Sequence, residues 1–228
     1  MSGMGEADTV RDKEPATASI AFIDLAGFSA IADVYGDRAA ITVLEIFEVL
    51  VERHCAQSGR LVKWIGDEAM LAFPDPEAAL LSLGRLLQAC RADDRIPLTR
   101  AAVHHGKVIE RGEDLFGATV NIASRMSALA KPGELLATAP VAEAAAARNI
   151  DTRALGPVAL RSMREKLPLF SIELAEAVDP AWIDPVCKMH APFAAYQREK
   201  PAGPWFCSAR CEEVFRNSPE TYMDRTRE

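Results

Sequence analysis

Four sets of side chains in this 228-residue sequence could do chemistry. Asp24 closes an apolar run and is followed by Leu25-Ala26-Gly27-Phe28. Loop amides ahead of a helix attract a polyphosphate, and a carboxylate at a strand end can hold a divalent cation bridging to it. A plain turn or cap accounts for the same Asp. Asp67 adds a second acid beside Gly66, which lets a ligand approach the backbone, although Gly-Asp is also a common turn dipeptide. Two such acids can form a two-metal site, where one ion activates an oxygen nucleophile and both stabilise an in-line displacement. Asn121 and Arg125 stand four apart, so on a helix they share one face; a solvated surface with Asn as cap is the bland account. Cys187, Cys207 and Cys211 follow a C-x19-C-x3-C spacing. Thiolates so spaced can converge on one soft or borderline ion, with His190, water or nothing as the fourth ligand, or they are small buried hydrophobes.

The elements that must position these groups follow from periodicity. Ser19 to Leu25 reads as a buried strand, with Ser29 as the N-cap of one long helix running to about His54 on Ile31, Val34, Ile41, Leu44, Phe47, Leu50 and Val51. Leu61–Ile65 and Ala69–Phe73 form a hairpin joined at Gly66-Asp67, which puts Asp67 at its tip. Pro76–Arg91 is a helix, Leu98–His105 a strand, Thr119–Leu129 a helix and Glu134–Thr138 a strand. Val158–Arg161 and Leu167–Leu174 close the pattern as strands. Antiparallel hairpins with covering helices make the class α+β. Cys55 and Cys90 sit among apolar neighbours and read as core; His54, His104 and His105 read as structural histidines.

Composition bounds the rest. Hydrophobic residues make up 49% and charged residues 26%, which suits a globular chain. The net charge is −7, and without a dense Lys/Arg cluster nucleic acid is not expected as a partner. No apolar run approaches the ~18–20 residues of a membrane span, and Met1 to Ala18 lacks the apolar stretch of a signal peptide, so a cytoplasmic location is expected. Residues 1–17 read as a tail. The segment after Asp179-Pro180 is rich in aromatics, Pro and Cys. At under about fifty residues it needs a metal, a disulfide or a partner to be stable.

Phe-Ile-Asp24-Leu-Ala-Gly-Phe-Ser, Lys63-Trp-Ile-Gly-Asp67-Glu and Asp114-Leu-Phe-Gly-Ala-Thr-Val-Asn121-Ile-Ala-Ser-Arg125-Met, in that order, resemble the class III adenylyl and guanylyl cyclase catalytic domain across about residues 18–177. The resemblance implies a ferredoxin-like βαββαβ core. It makes Asp24 and Asp67, assisted by the Ile23 carbonyl, ligands of two Mg²⁺ or Mn²⁺ ions, with Gly27 and Phe28 in the phosphate loop. Lys63 and Asp114 become adenine readers, Lys donating to N1 and the carboxylate accepting from the exocyclic amine. Guanine readers of this family carry Glu and Cys there, so ATP is the implied substrate and a guanylate cyclase the lesser alternative. Asn121 would orient the ribose and Arg125 would stabilise the transition-state phosphate. Arg161, or else Arg164 or Lys166, would hold the terminal phosphates. Such cyclases act as head-to-tail homodimers with composite sites. A non-catalytic ATP-binding or metal-sensing protein on the same scaffold is the competing class.

The last segment, about 180–228, resembles a YHS domain of the TRASH-like metal-binding group through Asp-Pro-Val-Cys187-Lys-Met, Trp-Phe-Cys207-Ser-Ala-Arg-Cys211, Phe215, Pro219 and Tyr222. Lys188 replaces the usual Gly, and Pro204-Trp205 an aromatic pair. This resemblance implies one transition metal, zinc, copper or iron; that the module biases the catalytic dimer is expected only from its fusion in the same chain.

Overall fold

The computed structural model describes residues 16–55, 57–191 and 203–222. Most of the expected N-terminal tail lies outside them, but Ala16 and Thr17 already belong to the first strand. That strand, β1 (Ala16–Leu25), is followed by α1 (Phe28–Tyr35), α2 (Asp37–Cys55), the hairpin β2 (Arg60–Ile65) and β3 (Glu68–Phe73), α3 (Pro76–Ala92) and β4 (Thr99–Arg111). Next come β5 (Asp114–Phe116), α4 (Ala118–Ser127), β6 (Leu135–Ala137), α5 (Ala139–Ala147) and the hairpin β7 (Thr152–Val158) and β8 (Leu167–Ile172). The sheet order is β2-β3-β1-β4-β6-β8-β7, with β5 paired to β4. Its first four strands and their crossovers are the βαββαβ ferredoxin-like arrangement.

Alternation along β1 sorts the two faces, because successive side chains of a strand point to opposite sides. Ala21, Ile23 and Leu25 enter the large apolar cluster with Phe47 and Val51 of α2 and Leu80, Leu83 and Leu86 of α3. Ile20 and Phe22 pack the other way, with Met70, Val108 and Ala123 of α4. Asp24 shares their parity, so it stands on the α4 side of the sheet.

The structure corrects three details of the sequence reading. The long helix from Ile31 to His54 is two helices: Gly36, at φ 88° and ψ 162°, breaks it between Tyr35 and Asp37. Gly27, at φ 80°, rather than Ser29, caps α1. The strand expected over Val158–Arg161 ends at Val158, which leaves Arg161 exposed in the turn that follows.

The C-terminal segment contributes a 3-10 turn (Pro180–Trp182), α6 (Ala209–Asn217) and α7 (Pro219–Tyr222). Val186, Cys187, Met189, Trp205, Cys207 and Cys211 belong to the same buried cluster as α1 to α3. The partner that so small a segment needs is therefore the body of the chain itself. Among the described residues no helix is long and apolar enough to cross a membrane.

Candidate active site and cysteine centre

The two acids meet through strand register. β1 pairs antiparallel with β3 at Ile23↔Ala69, so the turn carrying Asp67 lies alongside Leu25, whose backbone amide favours the charged form of the Asp67 carboxylate. Burial pushes Asp67 up from its usual value, and the Asp24 charge adds to the rise. Glu68 is raised for the same first reason and accepts a 2.5 Å hydrogen bond from Ser127 Oγ at the end of α4. Three carboxyl groups thus crowd one corner of the sheet, an arrangement that gains from a cation.

One cation is part of the chain. Arg100 stands opposite Asp24 in the β1–β4 register and grips it bidentately, Nε donating to Oδ1 at 2.8 Å and Nη2 to Oδ2 at 2.7 Å. Asp24 raises the Arg100 guanidinium, with smaller contributions from Asp67 and Glu68. Sequence reasoning missed Arg100. The available signal was a charged residue directly before the apolar run Ala101–Val103 of a strand, where a guanidinium needs a partner.

A second pair forms further along the sheet. Lys63 Nζ of β2 donates to Asp114 Oδ2 of β5 at 2.6 Å, and Asp114 Oδ1 also accepts from the Leu115 N–H. Lys63 holds the Asp114 carboxyl below its usual range. Fifty-one positions apart in sequence, the two offer a donor and an acceptor side by side. Asn121 and Arg125 lie on α4, Asn121 exposed and Arg125 half-buried. Among the described residues no hydrogen bond or ion pair joins the Lys63–Asp114 pair to the acid corner. Arg161, Arg164 and Lys166 are exposed between β7 and β8, at the sheet edge opposite β2.

The cysteines converge as their spacing suggested. Cys187 and Cys207 sulfurs lie 3.4 Å apart and each is 3.7 Å from Cys211 Sγ, all three buried free thiols. With Asp184 they form a buried group able to hold a metal ion. The Asp184 carboxylate accepts from the Val186 N–H at 2.8 Å and the Cys207 N–H at 2.7 Å, tying together the two stretches that carry the sulfurs. His190 is not in the group; its ring Nε2 lies 3.0 Å from the Arg91 carbonyl. The other histidines and cysteines keep structural surroundings. His104 Nδ1 is 2.8 Å from Thr138 Oγ1, His105 Nδ1 is 3.0 Å from Ser19 Oγ, and Cys55 and Cys90 are buried.

The segment meets the loop that follows Asp24. A Cβ placed on Gly27 would come within 2.7 Å of the Cys187 carbonyl oxygen. The Lys188 carbonyl accepts from the Leu98 N–H at 3.1 Å, and the Leu98 carbonyl in turn accepts from the Ala26 N–H at 2.8 Å.

Comparison with known proteins agrees with this geometry. A family model described as adenylate and guanylate cyclase catalytic domain matches residues 10–173. A pH-sensitive adenylate cyclase of Mycobacterium tuberculosis is 32% identical over 158 residues, covering 68% of this chain and 40% of that protein. An adenylate cyclase of Glutamicibacter nicotianae is 32% identical over 130 residues, covering 55% of this chain and 31% of its own length. The chain therefore spans well under half of these relatives. The crystal structure of the adenylyl cyclase CyaB from P. aeruginosa superposes with a TM-score of 0.59 at 18% identity, over 72% of this chain and 96% of that one, a likeness of fold.

Proposed function

Because the chain belongs to the adenylate and guanylate cyclase catalytic domain family, we propose that it converts ATP to 3′,5′-cyclic AMP and pyrophosphate. The observation that carries the reading is the corner where Asp24 and Asp67 meet at neighbouring strand ends beside the Gly27 loop. A buried acid and a half-buried one that repel each other suit Mg²⁺ or Mn²⁺, with the Ile23 carbonyl as a further oxygen. Such ions, when bound, would neutralise phosphate charge and ease loss of the 3′-hydroxyl proton.

The chain's own residues do the positioning. The Gly27–Phe28 turn and the start of α1 present backbone N–H groups toward the phosphates. Lys63 and Asp114 read adenine, N1 accepting from the ammonium and the exocyclic amine donating to the carboxylate; guanine presents the opposite polarity at both places. Asn121 orients the ribose, and Arg125 meets the charge that develops on the α-phosphoryl oxygens as the 3′-oxygen attacks and pyrophosphate leaves. Arg161, with Arg164 and Lys166 beside it, is the candidate for the terminal phosphates. The site is completed by a second copy, head to tail. Exposed Ile65, Phe116 and Leu129 flank the adenine readers and α4, where a partner would cover them.

The cysteine segment is a YHS-like module that holds zinc, copper or iron and biases the cyclase. Its support is the contact with the Gly27 loop and the shared core. Removing the segment would strip that core, so the test is made on the full chain with Cys187→Ser. Product analysis with ATP and GTP side by side, in Mn²⁺, tests the main reading. Cyclic AMP from ATP is expected; cyclic GMP as main product, or no cyclic product, would count against it. Equal rates for wild type and C187S at every level of added zinc, copper or iron would count against modulation.

A further inference from the structure

The cysteine centre includes a residue that no spacing rule links to it. Tyr35, the last residue of α1, places its phenol oxygen 3.1 Å from Cys207 Sγ and 3.3 Å from Cys211 Sγ. A tetrahedral ion with metal–sulfur bonds of about 2.3 Å and a metal–oxygen bond of about 2.0 Å gives sulfur–sulfur edges of about 3.8 Å and sulfur–oxygen edges of about 3.5 Å. The three sulfur–sulfur separations of 3.4, 3.7 and 3.7 Å and two of the three oxygen–sulfur separations match edges of this figure, slightly contracted, and the phenol oxygen also meets the Ser208 hydroxyl. The rival fourth ligands are committed elsewhere. Both Asp184 oxygens accept from backbone amides of the ligand-bearing stretches, which is an orienting role, and His190 faces the Arg91 carbonyl.

We propose that Tyr35 is the fourth ligand of a Cys187–Cys207–Cys211 metal centre, so that one ion is held jointly by the C-terminal segment and by helix α1. This rests on the reading that the cysteines hold a metal. A hard phenolate oxygen beside three thiolates suits zinc or iron and disfavours Cu(I), which prefers an all-soft set. On binding, the metal–oxygen bond forms as the phenol proton passes to solvent. The consequence is mechanical: α1 is gripped at its far end by the ion through Tyr35 and at its near end by the Cys187 carbonyl against Gly27. Occupancy of the centre is thus felt by the turn that follows Asp24.

The experiment is a Zn²⁺ titration of the full-length protein followed by ultraviolet difference absorption. Wild type should develop a tyrosinate band as zinc binds, and Asp184→Asn should keep it. Tyr35→Phe should lose the band and bind zinc at least about tenfold more weakly; it retains the ring, and two other tyrosines, Tyr196 and Tyr222, serve as internal controls. Zinc binding by wild type without a tyrosinate band overturns the Tyr35 assignment, and so does unchanged zinc affinity in Y35F when Cys187→Ser abolishes binding. Failure of wild type to bind either Zn²⁺ or iron, or binding that C187S leaves intact, overturns the cysteine reading beneath it.

Discussion

Asp24 has two demands on one carboxylate: it neutralises Arg100 through two short hydrogen bonds, and in the proposed reaction it also holds a cation. Asp24→Asn separates these demands, since the amide still offers Arg100 an acceptor oxygen but carries no charge. Mn²⁺-dependent cyclisation should fall by about 10²-fold or more while the thermal transition stays close to that of wild type; a rate within a few-fold would remove Asp24 from the mechanism. The Lys63–Asp114 pair makes a prediction about selectivity. In the proposed reading Asp114→Ala leaves the adenine amine without its acceptor, and an unmet hydrogen bond of this kind costs about 1–3 kcal/mol, so kcat/KM for ATP should drop roughly 10- to 100-fold with less change for GTP. His104 makes one contribution to the pH dependence of stability. Burial, aided by the neighbouring His105, lowers it to about 4 from an ordinary 6.5. The unfolded chain takes up this proton first, so the stability is fully present above the ordinary value and is lost as pH falls toward 4. Denaturant melts of wild type and His104→Gln should diverge over that window, with the variant showing the shallower loss.

At the scale of elements, strand and helix placement was largely legible because apolar periodicity is a property of residues already in hand. The hairpin at Gly66-Asp67 and the helix carrying Asn121 and Arg125 were both read within two residues of their ends. Periodicity failed where a backbone angle decided the outcome. Val34 and Ile41 keep helical phase across Gly36, so hydrophobic spacing could not reveal the break that frees Tyr35 to end its own helix. α5 was hidden in an alanine run, too uniform to show a face. The Asp24–Arg100 clasp depends on a register 76 positions apart in sequence, and the docking of the cysteine segment on Gly27 is longer-ranged still. The two glycines bounding α1 give a paired prediction. Gly36→Ala meets nothing within 4 Å and should cost only its backbone conformation, about 1–3 kcal/mol. Gly27→Ala adds to such a penalty a backbone oxygen at 2.7 Å that cannot swing aside, so it should unfold at lower temperature than G36A and alone weaken zinc binding.

At the scale of the whole molecule, the acids and the adenine readers occupy different parts of one sheet, and among the described residues no hydrogen bond or ion pair joins them. The proposed head-to-tail pair would resolve this by bringing the acid corner of one copy against Lys63, Asp114, Asn121 and Arg125 of the other. The arrangement predicts complementation between two dead chains. A dimer of Asp24→Asn has no competent metal corner, and a dimer of Arg125→Ala has no transition-state cation, so each alone is inactive. When they are mixed and allowed to exchange, half of the dimers pair unlike chains. Each such dimer holds one site with both lesions and one with neither. Equal mixing should therefore restore about a quarter of the wild-type rate, by random association and additivity of independent sites. A mixture as inactive as its components, with exchange confirmed by a tag on one chain, would mean that each site is built within a single copy.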